Sequence, residues 1–387
     1  MIKLKLHALR AHILHLTSRY GRAQMLDLRA SDNQLTLTMF ENHGKIGLST
    51  SSLFVPCLIS SSADGELAPL TISAKRLLAL LPARRKKDTL VLDMTPGTHT
   101  LTFENETTGE THLLSVNHGL SQLSHENEDG ALELALNSQK FASVLKNALP
   151  FASKDRARPN MTCCKLTAKH LLAYTHHFIY EHEDLSHAIP DIAALGEREL
   201  MIQAKDLALA RRMLEREPST MVVQEENVVV CSSIFRLTFP LNQHTSPNLL
   251  CLLDQEREEV ALTFTHASLQ GALRELKEHL TLADQLYLHV SPNGDASALV
   301  FGPKRIVTRP VDVKHDLEQD LLVSVCHGYM DKALALLKES HKVTLRLKKG
   351  EPEHALMFIQ GESRDTLALM PMRREAAVVS YIKRSAA

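Results

Sequence analysis

The densest grouping of side chains able to hold a metal or activate water is the run His176, His177, His182, Glu183, Asp184 and His187, in a chain with 21 histidines. Imidazole and carboxylate are zinc ligands, but catalytic zinc sites use fixed spacings such as H-E-x-x-H or paired cysteines, and neither occurs here. The six cysteines, Cys57, Cys163, Cys164, Cys231, Cys251 and Cys326, form no C-x-x-C pair, which fits reduced, mostly buried thiols. Serine, histidine and aspartate abound without a G-x-S-x-G elbow or a phosphate-cradling loop. The expectation is a protein with no catalytic residues, no metal and no cofactor.

A second set of residues points to another chemistry. Lys and Arg number 44 against 45 Asp and Glu, a net charge of −1 that taken whole argues against a nucleic-acid partner. The charge is unevenly sorted. Segments 6–23, 74–87, 137–158, 204–217, 265–280 and 328–342 hold 23 basic and 8 acidic residues, a balance of +15, and the remaining 288 residues carry −16. Those expected to face DNA are Arg10, Arg19 and Arg22; Lys75, Arg76, Arg84, Arg85 and Lys86; Lys140, Lys146, Lys154, Arg156 and Arg158; Lys205, Arg211 and Arg212; Arg274 and Lys277; and Lys332 and Lys338. Helix propensity favours Glu as much as Lys, yet the first three segments hold only one acid, Asp155, so solvation alone does not explain the bias. Basic groups gathered on one side would meet phosphates. No segment begins with the Asn, Gln and Arg concentration of a base-reading helix, so the contact should be insensitive to sequence. With 11 Phe, 6 Tyr and no Trp, stacking of single-stranded bases is disfavoured.

The elements that must position these residues repeat. Residues 70–73 alternate as a strand, run into a helical pattern over 74–81 and resume alternation at 89–94; the same succession appears at 200–203, 204–214 and 221–224, and at 321–324, 329–338 and 343–347. Another strand–helix pair opens each copy: 3–6 with 7–19, 133–136 with 138–149, and 259–264 with 266–280. Ile72, Ile202 and Val323 stand 130 and 121 residues apart, and Leu6, Leu136 and Phe264 stand 130 and 128 apart. A period near 125 is too long for a solenoid, so the expectation is an α+β chain of three similar domains, each with two helices packed on antiparallel sheets. Their expected bounds are 1–125, 126–246 and 247–374, with a tail over 375–387. The length calls for several cores, and 44% hydrophobic with 23% charged residues describes a folded chain. No apolar stretch is long enough to span a membrane and the first residues do not form a signal peptide, so a cytoplasmic location is expected.

Three such domains followed by Leu369-Met370-Pro371-Met372-Arg373 resemble the bacterial DNA sliding clamp, the beta subunit of DNA polymerase III. Arg158-Pro159, Met161-Thr162, the strand 171–175 and Phe239-Pro240 carry the likeness further. The resemblance implies a non-catalytic processivity factor. Two chains would join head to tail as a homodimeric six-domain ring, with helices lining a hole through which double-stranded DNA threads unread. It implies partners, namely polymerase, clamp loader and repair proteins, that insert a short Gln/Leu/Phe-type peptide into an apolar pocket. By analogy that pocket is Met161, Thr175, His177, Phe178, Ile179, Tyr180, Pro240, Met370, Pro371, Met372 and Arg373. The dimer contact would set the strand 112–116, with His112 and Leu114, against the helix near Leu273 and Leu276 of the other chain. The family's Thr-Asp-Gly-His-Arg-Leu is here Thr175-His176-His177-Phe178-Ile179-Tyr180, without its glycine and arginine, and residues 374–387 extend past the family's usual end, as in a divergent or accessory clamp. The alternative is a clamp-like scaffold that binds peptides without closing around DNA.

Overall fold

The computed structural model describes residues 2–20, 25–31, 34–42, 48–59, 67–81, 89–94, 100–105, 108–109, 111–115, 117–118, 131–155, 157–175, 177–243, 259–280, 285–301, 306–338, 340–349, 357–361 and 364–372. Among them are six α-helices: α1 (Leu6–Tyr20), α2 (Ala74–Leu80), α3 (Ser138–Ala148), α4 (Ala204–Leu214), α5 (His266–Leu276) and α6 (His327–Leu336). Each follows a strand, immediately or within two residues, and the first helix of each pair is followed by three successive antiparallel strands. The threefold succession expected from the sequence is therefore present. Helices predicted to reach 149, 280 and 338 end at 148, 276 and 336, with short 3-10 turns finishing the first two.

The chain divides into two compact units, which differ from the three repeats. The first comprises 1–143, 187–195 and 205–243, and the second 144–186, 196–204 and 244–387. Hydrogen bonding across repeats explains the difference. In the first unit a nine-stranded sheet pairs Leu48–Pro56 of the first repeat with Phe235–Pro240 of the second, antiparallel, Leu53 opposite Phe235 and Thr50 opposite Thr238. In the second unit another nine-stranded sheet pairs Phe178–Glu183 of the second repeat with Asp365–Leu369 of the third, Phe178 opposite Leu369 and His182 opposite Asp365. Each junction joins the third strand after a repeat's first helix to the third strand after the next repeat's second helix. Two half-sheets lack such a junction among the described residues. The five-stranded one in the first unit ends at Thr111–Ser115, and the four-stranded one in the second unit ends at Ile306–Pro310.

The helices pack by their apolar stripes. On α1, Leu6, Leu9, Ile13 and Leu16 recur at helical spacing and are at most 2% exposed, each contributing about 1.5–3 kcal/mol by burial. In the second unit α5 and α6 lock reciprocally. The ring of His266, first residue of α5, bonds the Leu334 carbonyl at 2.9 Å, and the ring of His327, first residue of α6, bonds the Leu273 carbonyl at 3.0 Å. Each imidazole N–H thus satisfies a carbonyl near the C-terminus of the opposite helix.

Candidate functional site

In the second unit the paired strands Phe178–Glu183 and Asp365–Leu369 present two faces, because side chains alternate. One face buries Phe178 and Tyr180 on Phe151, whose ring stacks on theirs with centroids 4.5 and 5.3 Å away. Asp365 is buried on the same side. Its Oδ1 accepts the Tyr180 hydroxyl at 2.7 Å and the His182 Nδ1–H at 2.8 Å, and its Oδ2 accepts the Asn147 amide at 3.4 Å. Burial and the neighbouring carboxylate push the Tyr180 phenol well above its ordinary pKa, so it stays a donor. The other face gathers Tyr174, Ile179, Phe358 and Ala368, with Met161 partly buried against them. The Tyr174 hydroxyl fixes the approach of Met161 by donating to the Asn160 carbonyl at 3.1 Å, and the Arg346 guanidinium lies 5.6 Å from the Phe358 ring centre.

Beyond the paired strands the two chain ends are tied together. Thr175 N–H donates to Phe178 carbonyl at 2.8 Å and Met370 N–H to the His177 carbonyl at 3.0 Å, while Met372 N–H reaches the Ser324 carbonyl at 2.8 Å. Pro371 is buried between these anchors, and Met370 stands 53% exposed, an unusual position for a large apolar side chain. Tyr329, on the first turn of α6, tilts against both Phe178 and His177, with ring centres 5.7 and 6.5 Å away, and Lys332 Nζ lies 5.6 Å from its ring centre. A fixed backbone thus carries adaptable thioethers and an aromatic with a cation beside it, as suits extended apolar peptides.

The structure therefore brings together Met161, Thr175, His177, Phe178, Ile179, Tyr180, Met370, Pro371 and Met372, all in one unit, but not on one surface. Phe178 and Tyr180 are core residues of the aromatic stack, at 2% and 0% exposure. Pro240 belongs to the first unit, buried at the end of Phe235–Pro240. Arg373 lies outside the described residues. Sequence reasoning missed Tyr329, Tyr174 and Phe358. An aromatic on the first turn of a helix, in a chain with six tyrosines, was the available signal for Tyr329.

Of the histidine-rich run, His176 lies outside the described residues. His182 turns inward onto Asp365, Asp184 pairs with Arg364 at 2.5 Å, and among the described residues no three His, Cys, Asp or Glu side chains gather as a metal site. Burial raises the Cys164 thiol to about 12 and that of Cys57 to about 11, so neither is a thiolate near neutrality.

The basic residues lie on helices or just after them. Lys75 and Arg76 on α2, Lys140 and Lys146 on α3, Lys154 and Arg158 beyond it, Lys205 and Arg212 on α4, Arg274 on α5, Lys277 following it, Lys332 on α6 and Lys338 following it are exposed. Arg10 and Arg211 are partly buried, and Arg211 pairs with Glu215 at 2.6 Å. Arg19 lies within α1, and Arg22, Arg84, Arg85, Lys86 and Arg156 fall outside the described residues. Among the described residues α1, α2 and α3 have no acidic first turn, whereas α4 has Asp206.

The candidate dimer contact needs one correction. Leu273 and Leu276 are both 0% exposed, packed in their own unit's core, so this helix can offer a second chain only its exposed side chains, such as Arg274 and Glu275. His112 and Leu114 lie on Thr111–Ser115, which has an open edge among the described residues.

No family model and no curated protein sequence matches the chain. Solved structures do. The DNA polymerase III subunit beta from Pseudomonas aeruginosa superposes with a TM-score of 0.80 at 13% identity, covering 97% of this chain and 100% of that one. The chain has the sliding-clamp fold. The DNA polymerase sliding clamp from Caulobacter crescentus gives 0.80 at 14% identity over 96% and 99%, and a Pseudomonas aeruginosa sliding clamp bound to griselimycin gives 0.78 at 14% over 96% and 99%. At such identities the likeness is one of fold, and it extends over nearly the whole chain.

Proposed function

We propose that this chain is a divergent bacterial sliding clamp, a non-catalytic processivity factor. Two copies would close head to tail around duplex DNA and tether a polymerase and other proteins by short peptides. The observation that carries this reading is the pair of incomplete half-sheets. Within the chain, the third strand after one repeat's first helix pairs twice with the third strand after the next repeat's second helix. By the same rule Ile306–Pro310 of the third repeat calls for Thr111–Ser115 of a first repeat, and both are edge strands among the described residues. Pairing them antiparallel between copies would build a third sheet like the other two and remove two exposed edges. The ends are unlike, so the contact is heterologous, and two copies related by a twofold axis would close it.

The charge supports DNA as the ligand. A sliding protein needs diffuse attraction to many phosphates, without base contacts that would pin one register. Exposed basic residues on or just after α2, α3, α4, α5 and α6 supply it. The peptide would lie along Met370–Met372, against Tyr329 and the cluster holding Met161, Ile179 and Phe358. The three boundaries at about residues 125, 246 and 374 follow the repeats, and cytoplasmic location follows the substrate.

The test is retention on DNA. Sedimentation should give a dimer, and the dimer loaded on a nicked circular plasmid should co-elute with it and fall off when the circle is cut. A chain that stays monomeric at micromolar concentration and shows no difference between circle and linear DNA would refute the proposal.

A further inference from the structure

The open edge of the four-stranded half-sheet is partly covered by its own side chains. Ile306–Pro310 pairs antiparallel with Ala296–Phe301, Thr308 opposite Leu299 and Arg309 opposite Ala298, and among the described residues no strand lies on its other side. The phase of this ladder is set just beyond it, where the Val311 N–H donates to the Ala296 carbonyl at 3.0 Å. Val311 and Ala296 continue the same register, and hydrogen-bonded pairs alternate along an antiparallel ladder. Arg309 and Val307 therefore aim their backbone groups inward at Ala298 and Val300, whereas Ile306, Thr308 and Pro310 aim theirs outward at the open edge. Two of those three positions are blunted. Pro310 has no N–H to offer, and a proline in a strand belongs where its nitrogen faces away from the ladder. The carbonyl of Thr308, the central outward acceptor, takes a hydrogen bond from Arg309 Nη1 at 2.9 Å. The same guanidinium donates through Nε to the carboxylate of Glu275 on α5, the helix packed against this strand. With the Arg309 side chain 38% and that of Glu275 61% exposed, the pair can rearrange without disturbing the core.

We propose that Arg309, held by Glu275, is a displaceable cap on this edge: it covers the Thr308 carbonyl in the free chain and swings off when a strand of a second copy pairs there. This rests on the reading above that Ile306–Pro310 is where two copies join. To continue the ladder an incoming strand must donate its own N–H to the outward Thr308 carbonyl, and the guanidinium occupies that place. The exchange is local, because Arg309 can keep Glu275 through Nε while Nη1 lets go. No backbone bond of the half-sheet breaks. The cap weakens pairing with every strand alike, so a short chance contact does not outweigh it and a match along the whole edge does. It therefore suppresses edge-to-edge association of stray strands while permitting ring closure.

The experiment is sedimentation of the full-length wild type and of Arg309→Ala, Arg309→Lys and Glu275→Gln, with urea unfolding of each to confirm an intact fold. Arg309→Ala uncaps the carbonyl and should tighten the dimer on the order of tenfold, from about threefold at each of the two contacts of a twofold ring. Glu275→Gln loosens the anchor and should act in the same direction by a smaller factor. Arg309→Lys keeps the charge but lacks the planar fork that reaches two acceptors, so it should resemble Arg309→Ala; a Lys variant equal to wild type beside a tighter Ala variant would mean that charge alone acts, and would overturn the cap. Dimers left unchanged or weakened by Arg309→Ala also overturn the cap and leave the ring reading intact. Wild type and Arg309→Ala both monomeric at micromolar concentration would overturn both.

Discussion

Removing the Asp365 carboxylate isolates the contact that holds the strands Phe178–Glu183 and Asp365–Leu369, beside the proposed peptide site, in register. Its Oδ1 accepts both Tyr180 and His182, at 2.7 and 2.8 Å, and its Oδ2 accepts Asn147 at 3.4 Å. Asp365→Ala leaves a buried phenol and a buried imidazole N–H without their acceptor, about 1–3 kcal/mol each, so a total loss of about 3–5 kcal/mol is expected. Asp365→Asn can keep its carbonyl oxygen where Oδ1 was, with its amide facing Asn147, whose own amide can turn over to present oxygen. Only the charge assistance is lost, about 1–2 kcal/mol. Tyr180→Phe removes one donor from a carboxylate that keeps two, about 1 kcal/mol. Urea unfolding followed by far-ultraviolet dichroism and by tyrosine emission measures all three, and a peptide titration reads the site itself. The reasoning fails if Asp365→Ala costs under about 1 kcal/mol, or if Asp365→Asn is as damaging as Asp365→Ala.

Three further outcomes are expected. Met370→Ala with Met372→Ala should weaken a clamp-binding peptide at least about tenfold while the dimer still loads on circles, since about 1.4 kcal/mol of apolar contact suffices for that factor; unchanged affinity by anisotropy removes these residues from the pocket. Proline at Val307 or at Thr308 should separate two effects by sedimentation, because neighbouring N–H groups point to opposite sides of a strand. One proline should destroy the dimer without unfolding the protein and the other should destabilise the sheet, and dimers surviving both would exclude this edge. The first unit should lose stability in acid. His15 titrates near 6.5 when unfolded and near 4 when folded, so the native state binds fewer protons between those values, and stability present above about pH 6.5 falls towards pH 4. The loss is about 1–2 kcal/mol after allowing for solvent around the ring, and His15→Gln should flatten the melting temperature against pH in that window.

The repeat was legible because it rests on periodicity. Alternation before a helix, helical spacing within it and alternation after it are local, and three copies average out local error, so Ala204–Leu214 was found to the residue. The sheets were not legible, since pairing Leu53 with Phe235 or Ile179 with Ala368 joins residues almost two hundred positions apart, and nothing local encodes it. That is also why three repeats appear where contacts make two units. At the candidate peptide site, Met370 to Met372 stand out by sequence, and the Met370 N–H bonds the His177 carbonyl. The resemblance groups Phe178, Ile179 and Tyr180 as one lining, but strand alternation puts the outer two in a stack with Phe151 and Ile179 beside Met161. Leu273 and Leu276 failed for a similar reason: apolar positions of an amphipathic helix face their own core first.

The same junction rule that supports a ring also limits what could replace it. Unlike ends that do not close give an open filament, so one heterologous contact permits either outcome and only its rotation decides. A filament would leave the orphan edges Thr111–Ser115 and Ile306–Pro310 at its ends, and its mass would grow with concentration, whereas closure consumes both edges at a fixed stoichiometry. Excess basic residues on the helices and excess acid elsewhere add to this. In the proposed ring, repulsion among like-charged helices would oppose closure while it is empty, and a polyanion at its centre would relieve it. Dimer dissociation should therefore slow when duplex is present and quicken again as salt screens the phosphates, and a dissociation rate indifferent to both would mean that the basic helices do not face the hole.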